Sequence, residues 1–377
     1  MIPANSCIAP TDATPESDSP VVDLLEQALL RRSTGALNDA RQLAEEALAA
    51  LQDSEVARSA LTVQALLVLG GIEQDLGRHD AAEQAFRQAT AITTDIGGST
   101  PLQVHSQLAL ANLWRAQGRY PEAETLLRTA LRLAEDGVGP DTLEVADACN
   151  ALAITYKYTG RFDDAQVLYR RALIITEGIH GADHPDVASI YHNLGGLAHA
   201  RGVFDEAEAP ARRAVAIREA TLGSGHADVA ADKAALAAIL DALGQHDEAE
   251  RLLCDALTVF ERIFGPGHYE VAVNLHNLAS LHHRRNQLAQ AEPLYRRALA
   301  AKEDVLGHHH PELATTLNNL GLLRQEQGDH TEAMALYARA ITILEPTVEP
   351  DHPTLTTCRE HHAALHADSN TPPVPTH

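Results

Sequence analysis

The chain has 377 residues, enough for two or three globular domains, and is 45% hydrophobic but only 4% aromatic. Any core must therefore be built from Ala, Leu, Val and Ile packed closely rather than around large rings. A formal charge of −23, from 29 basic and 52 acidic residues, repels a phosphate backbone, and no Lys/Arg run offsets that field, which argues against nucleic acid as a partner.

In chain order, residues 1–20 are rich in Pro, Ser, Thr and Asp and lack the basic and apolar regions of a signal peptide, so they read as a disordered lead-in. The four cysteines, Cys7, Cys149, Cys254 and Cys358, stand singly. They make neither a secreted disulfide framework nor a paired zinc motif, and a reducing cytoplasm fits them best. No stretch approaches the roughly 20 apolar residues that a bilayer span requires, so no membrane insertion is expected.

From residue 21 onward the chain repeats. The phrases beginning at Gly35, Gly77, Gly118, Gly160, Gly202, Gly244, Asn286 and Gly328 recur every 42 residues, with a single interval of 41. Five residues after each anchor stands an alanine (Ala40, Ala82, Ala123, Ala165, Ala207, Ala249, Ala291, Ala333). Twelve after it stands another (Ala47, Ala89, Ala130, Ala172, Ala214, Ala256, Ala298, Ala340). Seven residues is close to two helical turns, so both lie on one stripe, where only a methyl group lets a neighbouring helix approach. Eight before the anchor a leucine recurs (Leu69, Leu110, Leu152, Leu194, Leu236, Leu278, Leu320), followed by Gly or Ala, as the matching stripe of the preceding helix. A glycine 21 after the anchor (Gly98, Gly139, Gly181, Gly223, Gly265, Gly307) closes the second helix. The next helix opens with an acidic residue near its positive dipole end, and Pro185, Pro311 and Pro353 fall where a first helical turn tolerates proline. Each unit is thus expected to hold two helices of about 15 residues, roughly 22 Å long.

The phrases HPDVASIYHNLGGLAHARGVFDEAE and HPELATTLNNLGLLRQEQGDHTEAM resemble the 42-residue tetratricopeptide repeats of kinesin light chains and of many bacterial repeat proteins. The resemblance covers residues 21–366 and implies an all-α fold: a right-handed α-solenoid of about eight hairpins plus a C-terminal capping helix. Residues 353–366 form the cap, and residues 367–377 a disordered tail. The first repeat departs most, with Gln27 and Ala28 in place of the leucine and small residue.

In this family the concave face, lined by first helices, is the usual ligand groove. Carried over residue by residue, it comprises Asn112, Arg115, Asn150, Lys157, His192, Asn193, His199, His276, Asn277, His283, Arg284, Asn318 and Asn319. Asparagine offers both a donor and an acceptor, so a ladder of them can hold an extended peptide backbone; the alternative is that these side chains are solvated or bond to the adjacent helix. The basic residues hint at partners with acidic segments, although Asp147, Asp241 and Glu326 share the face. The paired lysines of a carboxylate clamp cannot be placed. The resemblance implies a non-enzymatic, cytoplasmic scaffold or adaptor that binds a protein or peptide; the other reading is a peptide-sensing regulator whose array changes conformation on binding.

Histidine occurs 21 times, and five recur 24 residues after an anchor (His184, His226, His268, His310, His352). Their spacing fits loop residues before each helix start better than metal ligands, and neither a metal nor any other cofactor is expected. No nucleophile with a base, no HExxH and no phosphate loop escapes the repeat pattern, so no catalytic residue is assigned.

Overall fold

The computed structural model describes residues 20–52, 58–97, 99–346 and 353–369, and these form 17 α-helices with no strand. The expected lead-in before Pro20, Gly98, His352 and the tail beyond Ser369 lie outside the described residues. The chain divides into two compact units at Arg201 and Gly202.

The first unit contains α1 (Pro20–Ser33), α2 (Leu37–Gln52), α3 (Ala60–Asp75), α4 (His79–Asp95), α5 (Thr100–Ala116), α6 (Tyr120–Gly137), α7 (Leu143–Tyr158), α8 (Phe162–His180) and α9 (Pro185–Ala200). The second contains α10 (Phe204–Leu222), α11 (Ala227–Ala242), α12 (His246–Phe264), α13 (Tyr269–Arg284), α14 (Leu288–Leu306), α15 (Leu313–Glu326), α16 (His330–Leu344) and α17 (Pro353–Ser369). Consecutive helices within each unit pack against one another. Odd-numbered helices also touch the next odd-numbered helix, α3 against α5 and α7 in turn against α9, or α11 against α13 and α13 against α15. The odd-numbered helices therefore form one continuous layer in each unit, the inner face.

The alanine stripes make this packing possible. Ala82, Ala89, Ala123, Ala130, Ala165, Ala172, Ala249, Ala256, Ala291, Ala298, Ala333 and Ala340 are fully shut off from solvent. Over them lie the bulky residues of the same repeats: Phe86, Leu127, Tyr169, Leu253, Tyr295 and Tyr337 are all buried.

The turn glycines owe their recurrence to backbone geometry. Gly77, Gly118 and Gly160 have φ of 72°, 77° and 76°, and Asn286, which replaces the glycine once, has φ of 59°. Asparagine is the side-chain-bearing residue that tolerates this left-handed region best. The amide after most anchors bonds five residues back across the helix end, as Arg78 N to the Glu73 carbonyl and Arg161 N to the Tyr156 carbonyl, both at 2.8 Å.

The eight residues beyond a common 34-residue hairpin repeat largely lengthen the second helix. α8, α10, α12 and α14 each run 19 residues, longer than the expected 15, before Gly181, Gly223, Gly265 and Gly307 end them with positive φ. Two boundaries differ from expectation. α15 starts at Leu313, two residues past Pro311, because the amides of Leu313 and Ala314 bond three residues back, to His310 and Pro311, in a tighter 3₁₀-type turn. α17 continues to Ser369, three residues beyond the expected cap.

The recurrent histidines open the inner helices. Nδ1 of His184, His226 and His268 each accepts the backbone amide two residues on at 3.2 Å, and His310 does the same at 3.3 Å. An imidazole here does the work of an N-cap Ser or Asp.

Replacing Ala172 by Leu forces a branched side chain into the α7–α8 seam and should destabilise the protein by about 1–3 kcal/mol. Ala300→Leu, at an exposed position of α14, should change stability by less than about 0.5 kcal/mol. Urea denaturation followed by circular dichroism measures both.

Candidate functional site on the inner face

The face of the odd-numbered helices obeys a fixed register. A residue on one inner helix meets the residue 43 positions later on the next: Arg32 donates to Asp75 at 2.6 Å, Asn193 to Asn150 at 2.9 Å, and His283 meets Glu326 at 3.0 Å. The repeat length plus one residue of stagger sets these encounters.

The second unit holds six of the expected residues, and most of them bond to one another or to neighbouring helices. His276 takes Thr316 Oγ1 at 3.1 Å and Asn319 Nδ2 at 3.5 Å, with the edge of Tyr295 beside it. Arg284 is ion-paired with Asp241 and donates to Ser280 Oγ at 2.9 Å. Asn318, nearly buried, meets His361 at 3.0 Å. Asn277 is half-buried. Asp241, which seemed to oppose an acidic partner, is thereby neutralised by Arg284, and Glu326 is engaged by His283.

Burial and the nearby Lys302 ammonium push His276 down to about 4. Burial likewise lowers Lys302, which is almost wholly enclosed and donates to Thr316 Oγ1 at 3.4 Å.

In the first unit the structure gathers Asn112 and Arg115 on α5, Asn150 and Lys157 on α7, and His192, Asn193 and His199 on α9. Arg115, Lys157 and His199 stand three residues before their anchors, the register at which Arg32 and His283 find acids. Here the partner 43 residues on is not acidic. Arg115 meets Tyr158, its guanidinium carbon 5.9 Å from the ring centre, and Lys157 is followed at that place by Ala200. The Lys157 ammonium lies over the same Tyr158 ring at 5.3 Å. Gly196 on α9 brings no side chain over it, the ammonium standing 3.7 Å from where a Cβ would be.

Beneath them, Arg115 Nε and the Tyr169 hydroxyl are shut off from solvent without a hydrogen-bond partner, and the guanidinium's one bond is a 3.4 Å contact to Asn112 Oδ1. Burial lowers the pKa of both cations, and Arg115 lowers that of Lys157 further. His199 is lowered by burial and by Lys157 and stays neutral at neutral pH.

Most other arginines of this unit are neutralised. Arg119 bonds Glu83 of the preceding repeat at 3.1 Å, Arg161 bonds Glu124 at 2.8 Å, and Arg171 bonds Glu135. Sequence reasoning missed Tyr158, more than half exposed and stacked on Tyr120 at 5.9 Å. It occupies a position where sibling repeats carry Asp75, Ala116 and Arg284, so nothing in the repeat marks it.

At the opposite ends of these helices Asp147 is open to solvent at its tip. The surrounding protein and then the carboxylates of Asp186 and Glu144 push its carboxyl above the usual range.

Among the described residues one group could hold a metal ion: His180, His184 and Asp186. The two imidazoles stack at 4.2 Å, as Phe264 stacks on His268 at 4.3 Å one hairpin pair later, and His184 Nδ1 is already committed to the α9 cap. His180 thus fills the place of a packing aromatic. Nor does any helix of the described residues have the length and apolarity to cross a membrane.

Antiparallel helix pairs joined through a left-handed turn, with an alanine seam and a shared inner layer, define a helical-hairpin repeat protein. The model of the Tetratricopeptide repeat family matches residues 102–176, 148–220, 228–304 and 293–345, and a second of the same description matches 63–95; the chain belongs to the tetratricopeptide repeat family. No curated protein matches significantly.

Several solved structures are similar. A signal-transduction ATPase with a tetratricopeptide repeat sensor from Pyrococcus horikoshii is 12% identical with a TM-score of 0.59, over 93% of this chain and 53% of that one. The apo form of RapI is 14% identical with a TM-score of 0.56, over 76% and 98%. BtubC (BKLC) from P. vanneervenii is 24% identical with a TM-score of 0.49, over 66% and 94%. At these identities the likeness concerns the fold, one whose general use is to mediate protein–protein interaction.

The depressed His276 has a consequence for stability. An unfolded histidine titrates near 6.5, so between there and about 4 the unfolded chain binds the extra proton. Stability is then complete above about 6.5 and is lost as the pH falls toward 4. Thermal melts from pH 7.5 to 4 should show this loss, and His276→Asn should diminish it.

Proposed function

We propose that this protein is a non-catalytic cytoplasmic scaffold or adaptor, and that the inner face of its first unit docks an extended segment of a partner protein. The observation that supports this reading is the pair of unneutralised cations, Arg115 and Lys157, on a half-buried surface of a chain whose formal charge is −23. Half-burying two charges without an acid costs stability, and a fold that neutralises most of its other arginines has the means to avoid it. A partner that brings negative charge recovers that cost on binding.

Beside the cations, the Asn150–Asn193 pair spends one acceptor and one donor on itself. The Asn150 amide hydrogens and the Asn193 carbonyl oxygen remain suited to a peptide backbone. The second unit supports docking less, because His276, His283, Arg284 and Asn318 are engaged within the fold.

Affinity capture from native lysate should compare wild type with two variants, each confirmed as folded by circular dichroism. Asn150→Ala with Asn193→Ala should weaken capture of the partner about tenfold, the effect of one or two lost hydrogen bonds. Asn277→Ala with Asn319→Ala should leave it intact. Equal capture by both variants would refute the inner face as the working surface, and loss from the second alone would move the site to the other unit.

A further inference from the structure

The register described above supplies an internal comparison. Where a basic residue stands three residues before an anchor, the fold places an acid against it twice: Asp75 ion-pairs Arg32, and Glu326 meets His283. At Arg115 and Lys157, in consecutive inner helices, it places Tyr158 and Ala200 instead. Both cations lie within 6 Å of one tyrosine ring, so they share a site. Neither has a carboxylate partner among the described residues, whereas Arg119, Arg161 and Arg171 nearby all have one.

The chemistry of the pair narrows what can complete it. Arg115 keeps its charge at any physiological pH, and the adjacent His199 stays neutral beside Lys157, so the charge to be balanced is that of two cations. A single carboxylate balances half of it. The guanidinium is held only by stacking on Tyr158 and a long contact to Asn112, and its planar fork suits two oxygens of one group. Gly196 leaves the ammonium uncovered on its α9 side. Tyr158 and Tyr120, stacked at 5.9 Å, wall the site with aromatic surface.

We propose that Arg115 and Lys157, which flank the one Tyr158 ring, form a subsite for a single phosphoryl group carried by the docked partner segment. The inference rests on the docking reading above and names the chemistry that the first unit selects. A phosphoryl group would place one oxygen pair on the Arg115 fork and a third oxygen toward Lys157.

The test is calorimetric titration of the full chain at pH 7.5 and low salt with inorganic phosphate, succinate and acetate as separate probes. Phosphate should bind saturably and at least tenfold more tightly than either succinate or acetate. Arg115→Gln and Lys157→Gln should each weaken that binding about tenfold, and Lys157→Arg should largely restore it. Arg119→Gln, which breaks a pair with Glu83 outside the site, should have no effect. Circular dichroism spectra matching wild type exclude unfolding as the cause.

Succinate or acetate binding as tightly as phosphate would overturn the phosphoryl occupant. Absence of saturable binding by any probe, or binding indifferent to both Gln variants, would overturn the subsite. Either failure leaves the docking reading standing if the Asn150/Asn193 variant still loses its partner in capture. Loss of docking with anion binding intact would separate the two in the other direction.

Discussion

Everything in this molecule follows from how closely two helices can approach across a seam of methyl groups. The alanines five and twelve residues after each anchor have no exposed surface in nearly every repeat, and a larger side chain would push the helices apart. Close approach fixes the stagger of one hairpin on the next. That stagger brings inner-helix residues such as Arg32, Asn150 and His283 against those 43 positions later. The seam thereby decides at a distance which charges on the inner face are neutralised and which are left facing solvent.

The two units apply the same register to different side chains and reach different surfaces. In the second unit, histidines, asparagines and Arg284 meet acids and amides of the neighbouring helix, so their polar groups are spent inside the fold. In the first, an aromatic ring and a methyl group stand where acids could have stood. Buried or half-buried polar groups are ordinarily satisfied within the protein. A place where the fold repeatedly declines to do so is where a ligand's groups are best accommodated.

The candidate site was only partly legible. Arg115, Lys157 and the asparagines could be placed on the inner face from their offset to the turn, because helical periodicity assigns a face without any knowledge of neighbours. Tyr158 could not, since its position carries acid, alanine, tyrosine or arginine in different repeats. The stacking of His180 on His184 was hidden for the same reason, and so was its meaning. Only the equivalent Phe264 on His268 reveals a packing role.

Sequence by itself determined the helices, their pairing into hairpins, the alanine seam, the left-handed turns and the repeat family, because each depends on local geometry or on contacts at a fixed short spacing that the period prints into the chain. Tertiary structure alone decided which cations keep an acid. On the inner face that question turns on pairs such as Arg32 with Asp75 and Arg284 with Asp241, 43 residues apart, one repeat plus a single residue of stagger. The stagger is a property of packed helices, and no amino acid carries it individually.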